Sequence, residues 1–140
     1  VERILYPMIA LAGLTFVVLL RIPYVRFTAG FAGRVKVKDF RYGESANVPG
    51  DVSLPNRNLM NLLELPVLFY VVCLACYVTR SVDALAVYLA WAFVAARLVH
   101  SAIHLSYNNV YHRLAAYAAS GVLLLALWIR FALAIGELPP

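Results

Sequence analysis

The chain has 140 residues, of which 64% are hydrophobic and 14% charged, with a net charge of +5. Soluble domains carry about a quarter charged residues, and a chain this short cannot hide so much apolar surface in its own core, so an ordinary soluble domain is excluded. The positive balance suits anionic lipid head groups beside membrane spans rather than nucleic acid, and with only Cys73 and Cys76 a disulfide framework is excluded as well.

A helix needs roughly 20 mostly apolar residues to cross the hydrocarbon of a bilayer, and four segments qualify. The first covers about 4–22 and stops at Pro23. It opens with Val1-Glu2-Arg3 rather than a basic stretch, so it reads as a span and not as a cleavable leader. A long connection of about 23–55 follows. It holds Arg26, Arg34, Lys36, Lys38 and Arg41 and is broken by Gly30, Gly33, Gly43 and Pro49-Gly50, which is the pattern of a membrane-surface loop.

The second span covers about 56–79, with Ser53 as a cap ahead of Pro55. Arg57, Asn61 and Glu64 fall at i, i+4 and i+7, one face of a helix. Glu64 lies about 10 Å deeper than Arg57. A carboxylate at that depth must face protein, and Arg57 can partner it directly or through Asn61. Cys73 and Cys76, in the far half of this span, lack the strand and helix-start setting of a redox motif and read as small packing residues.

The third span covers about 82–107, and Arg97, His100, His104 and Tyr107 share one face near its end. The fourth covers about 114–135, ended by Gly136 and Pro139-Pro140, with Arg113 at its entry and Tyr117 one turn on. Trp91 and Trp128 read as lipid-facing or core aromatics. The expected fold is all-α: one integral membrane four-helix bundle, up-down-up-down. Lys and Arg crowd the ends joined by the long connection and the third-to-fourth turn, which places those ends in the cytoplasm and both termini outside. All three polar faces then lie in one leaflet. They describe a cationic pocket with one carboxylate, suited to a small anionic ligand. Ordinary snorkelling arginines and interhelical histidine bonds are the plainer reading of the same residues.

These residues resemble the MAPEG family, the membrane-associated proteins of eicosanoid and glutathione metabolism. Arg57, Asn61, Glu64 and Pro66 fill its second-helix pattern R-x-x-x-N-x-x-E followed by Pro. Arg97, His100, Arg113 and Tyr117 match its third- and fourth-helix positions, while His104 stands where Tyr is usual. The resemblance implies a homotrimer in contact with lipids and lipid-soluble small molecules, with glutathione as cosubstrate between subunits. Arg57, Asn61 and Glu64 would hold it from one subunit, and Arg97, His100, His104 and Tyr117 from the next. Arg113 would stabilise the thiolate, and Arg21 or Arg26 would cap the pocket. The membrane would be the inner membrane of a bacterium or an endoplasmic-reticulum-type membrane of a eukaryote.

The second helix lacks the His and Asp common in the family enzymes, Pro66 follows Glu64 closely, and Leu114 and His104 replace hydroxyl-bearing positions. These departures point away from prostaglandin or leukotriene synthesis. Three functions stay open: a glutathione-dependent transferase or peroxidase acting on hydrophobic electrophiles, a non-catalytic lipid-binding or accessory membrane subunit, and a metal site of His100, His104 and Glu64. The adjacent arginines oppose the last, because they repel a cation.

Overall fold

The computed structural model describes residues 1–136, so the expected Pro139-Pro140 stop lies outside the described residues. Five helices make four spans: α1 (Leu5–Phe31), α2 (Gly50–Leu62) with α3 (Leu65–Val78), α4 (Ala84–Leu105) and α5 (Val110–Gly136). Each of the four is long and apolar enough to cross a membrane. Among the described residues there are no strands. The protein is a multi-pass integral membrane protein with an up-down-up-down bundle.

Two boundaries depart from expectation. Pro23 does not end the first helix but sits inside α1, which continues to Phe31. The connection therefore shortens to residues 32–49, with a 3-10 turn at Val37–Phe40. Pro23 is exposed, and one missing N–H is tolerated in a membrane helix. Likewise Ser53 is not a cap, because α2 already starts at Gly50 and carries Pro55 within it.

The second span breaks where proline removes a donor. Pro66 lacks an N–H, and Glu64 takes φ −92° and ψ −100° at the junction of α2 and α3. At the far end of α3, Arg80 adopts φ +56°, while Ser81 N–H reaches the Cys76 carbonyl at 3.0 Å and Arg80 N–H that of Tyr77 at 3.2 Å. This left-handed closure satisfies the last carbonyls of the helix. Asp83 then starts α4 by accepting the Ala86 N–H at 2.7 Å, a side-chain N-cap.

The core runs along the bundle axis through Ile4, Leu11, Val18, Phe69, Val72, Phe93, Leu124 and Leu127. Phe69 and Phe93 stack with centroids 4.6 Å apart. Cys73 and Cys76 are buried in this cluster as free thiols. On α4 the buried stripe is Ala86, Ala90, Phe93, Val94, Arg97, His100, Ser101 and His104. Its spacing is that of one helix face throughout, yet it turns from apolar to polar at Arg97.

Candidate functional site

Where α2 breaks, its last carbonyls lose their helical donors and form the negative end of a helix dipole. Arg97, fully buried on α4, meets that end: its Nη2 donates to the Asn61 carbonyl at 2.6 Å. The Arg97 guanidinium also lies over the Tyr117 ring, 5.5 Å from its centroid. The Tyr117 hydroxyl donates to Glu64 Oε2 at 3.2 Å. Glu64, displaced from the α2 face by the break, is thus held from α5.

Arg113 is fixed at two points. Its Nη1 donates to Asn108 Oδ1 at 2.8 Å, and its own carbonyl accepts from His100 Nδ1 at 3.1 Å. A carbonyl can only accept, so the proton of a neutral His100 sits on Nδ1 and Nε2 is left as the ring's lone-pair nitrogen. Asn108 reaches Arg113 from a left-handed conformation, φ +48°, which Asn tolerates better than most side chains. Asn61, His100, Arg113 and Tyr117, with Val110 and Leu114, line a cavity of about 270 Å³. One cation, three hydrogen-bonding side chains and an apolar rim suit a small anionic molecule.

Behind this cavity the bundle buries polar atoms without partners. Arg97 Nε and Nη1, Asn58 Nδ2, His100 Nε2 and both ring nitrogens of His104 make no hydrogen bond. Each such group costs about 1–3 kcal/mol if left unmet. All of them lie at the same end of the bundle as the cavity.

Among the described residues, this geometry and a sequence-family comparison agree: the MAPEG family model matches residues 4–133. The chain belongs to the MAPEG family. No curated protein and no solved structure gives a match. As a MAPEG protein it places the expected site residues at three levels of engagement. Asn61, His100, Arg113 and Tyr117 line the cavity, whereas Arg97, Glu64 and His104 stand behind or beside it, the last edge-on to His100 with centroids 5.7 Å apart. Arg57 is exposed and does not line this cavity, and among the described residues the ion pairs are Arg26–Glu44, Arg34–Asp51 and Arg130–Asp83. The expected Arg57–Glu64 pair is absent because the break after Leu62 takes Glu64 off the face that Arg57 occupies.

Other expectations are also corrected. Tyr107 does not continue the α4 face, since the helix ends at Leu105; its hydroxyl pairs instead with His112 Nδ1 at 2.9 Å. Within one chain the Arg97 guanidinium also reaches the Asn61 backbone carbonyl. The metal set of His100, His104 and Glu64 does not assemble: among the described residues no three His, Cys, Asp or Glu side chains come together to hold an ion. Two buried partners were missed by sequence reasoning, Asn58 and Ser101, joined at 3.3 Å. Their signal was positional, for Ser101 lies one turn beyond Arg97 and Asn58 one turn before Asn61. Asn108 was missed because a turn residue carries no helical periodicity.

Proposed function

We propose that this MAPEG protein binds glutathione at the Asn61–His100–Arg113–Tyr117 cavity and joins its thiolate to hydrophobic electrophiles arriving from the membrane, a carbon–sulfur bond forming as the electrophile's leaving group departs with the bonding electron pair. The observation that carries this reading is Arg113, a cation lining the cavity and held at both its carbonyl and its guanidinium. The residues present fit the tripeptide: Arg113 and the buried Arg97 complement an excess of negative charge, and Glu64 offers a partner for an amine. Glutathione supplies a sulfur nucleophile when bound. Arg113 lowers the thiol pKa by favouring its charged form, and Tyr117, tethered by Glu64, orients one wall.

The cavity volume lies just under the ~300–1,000 Å³ of typical small-molecule sites, and Arg57 and Glu64 are exposed on the bundle surface. Charged groups facing lipid cost several kcal/mol. Both facts support a homotrimer in which a neighbouring subunit covers this face, and native mass in mild detergent tests it. The excess of Lys and Arg at the cavity end supports a cytoplasmic orientation, which a tag at Lys36 reports.

The chemical test is direct. Adding glutathione to the purified protein should produce thiolate absorbance below the usual thiol pKa of about 8.5. Arg113→Leu should abolish that signal with the assembly intact. A wild-type protein with neither thiolate absorbance nor saturable glutathione binding overturns the transferase reading in favour of a non-catalytic membrane subunit.

A further inference from the structure

A second and larger cavity lies apart from the polar site and independent of its function. It has a volume of about 790 Å³, within the range of small-molecule sites, and sits between the last turns of α1 and the connection that follows. Ile22, Phe27 and Phe31 form one wall, and Val35, Val37 and Phe40 the other. Its lips are uncovered, for Phe31 is 92% and Val37 93% exposed.

Depth makes this unusual. The 27 residues of α1 span about 40 Å, whereas hydrocarbon is about 30 Å thick. Arg21, stacked 5.3 Å from the Tyr24 ring centroid, has the basic-aromatic character of a membrane interface. With Arg21 and Tyr24 at the interface, Phe27 and Phe31 would stand at head-group level, where exposed apolar surface is not simply solvated by lipid tails.

Gly30 also lines the cavity, and a Cβ built there meets nothing within 4 Å. The missing side chain leaves the cavity open without relieving any clash. Arg26 holds the opposite wall in place. Its guanidinium lies over Phe40, 4.5 Å from the centroid, and its Nη2 pairs with Glu44 at 3.0 Å, while its buried Nε has no partner. Lys36 lines the cavity and is exposed, with no ion pair among the described residues. The nearby acids are already engaged: Asp39 accepts the Lys36 backbone N–H at 2.8 Å and Ser45 Oγ at 3.4 Å, and Glu44 faces Arg26.

We propose that this cleft binds a single-chain amphiphile with an anionic head, a fatty-acid carboxylate. The chain would lie along Phe27, Gly30 and Phe31, and the carboxylate at Lys36 and Arg26. A two-chain phospholipid fits less well, because its tails stay in the hydrocarbon below the Arg21–Tyr24 belt.

The test uses the full chain in nanodiscs of uncharged phosphatidylcholine, with spin-labelled stearate as the probe. Saturable immobilisation of stearate is expected, at least tenfold weaker for its methyl ester. Gly30→Phe should fill the cleft and abolish saturation, whereas Gly30→Ala leaves the fold undisturbed and retains binding. Lys36→Glu should weaken binding about tenfold, a difference of roughly 1.4 kcal/mol. Equal, unsaturable immobilisation of stearate, its methyl ester and labelled phosphatidylcholine would mean annular lipid only and would overturn the proposal. So would saturable binding that survives Gly30→Phe, or displacement of stearate at equal concentration by a two-chain anionic phospholipid. Glutathione binding plays no part in these readouts.

Discussion

The two ends of α4 bury side chains along one stripe and treat polar groups in opposite ways. At its start, Asp83 accepts from the Ala86 N–H and from Arg130 Nε at 2.7 Å each, tying α4 to α5. Between there and Arg97 the stripe is wholly apolar. At its end, Arg97, His100 and His104 are buried with ring and guanidinium nitrogens unmet. Among the described residues, every buried side-chain nitrogen or oxygen without a partner lies toward this second end of the bundle, on α1, α2 or α4. The first end is held by satisfied polar groups, and the second carries the buried polar side chains that face the cavity lining.

The largest test of that contrast is at the apolar half. Phe93→Ala should cost about 3–5 kcal/mol, since it removes a stacked ring from a close-packed core. The drop is read from the thermal midpoint in detergent. A loss below about 1 kcal/mol would mean that this half is no firmer than the other.

Next comes the staple. Asp83→Ala should cost about 1–2 kcal/mol by losing the N-cap, with little added by the half-exposed pair to Arg130. Asp83→Asn keeps an acceptor for the Ala86 N–H and should lose less. A midpoint unchanged in the alanine variant would remove the cap from the account.

Arg97→Met inverts the expectation. Leaving the Asn61 carbonyl unpaired costs about 1–3 kcal/mol, but removing an unpaired buried cation returns a similar amount. Stability should therefore stay within about 1 kcal/mol of wild type, by those same terms, while the proposed glutathione binding should be lost. Severe unfolding of this variant would show Arg97 to be structural.

The smallest effect is with pH. Burial pushes the Asp83 carboxyl up, but the Ala86 N–H and Arg130 outweigh it and hold the group below the usual carboxylate range. A carboxylate whose pKa is depressed by folding stabilises above its unfolded value of about 3.9. That stabilisation is lost as pH falls through the lower folded value. The difference in midpoint between wild type and Asp83→Asn should thus be full at neutral pH and shrink below about pH 4. A difference that grows on acidification would reverse the sign and refute the pairing.

Four spans and the family were readable from the chain alone, because hydrocarbon thickness fixes span length and forces apolar runs of one size. The convergence of the Asn61, Arg97 and Tyr117 faces was readable too, since helix periodicity fixes a face and topology fixes the end at which it lies. What the sequence could not settle was decided by backbone hydrogen bonds between elements. Pro23 and Pro66 are the same residue with opposite outcomes: one stays within α1 on an exposed face, the other lies in the first turn of α3, just after a break at which Arg97 meets the Asn61 carbonyl. A break in a helix leaves carbonyls that need a partner from elsewhere. That partner came from another helix, so only the tertiary structure could decide that Glu64 turns to Tyr117 and away from Arg57.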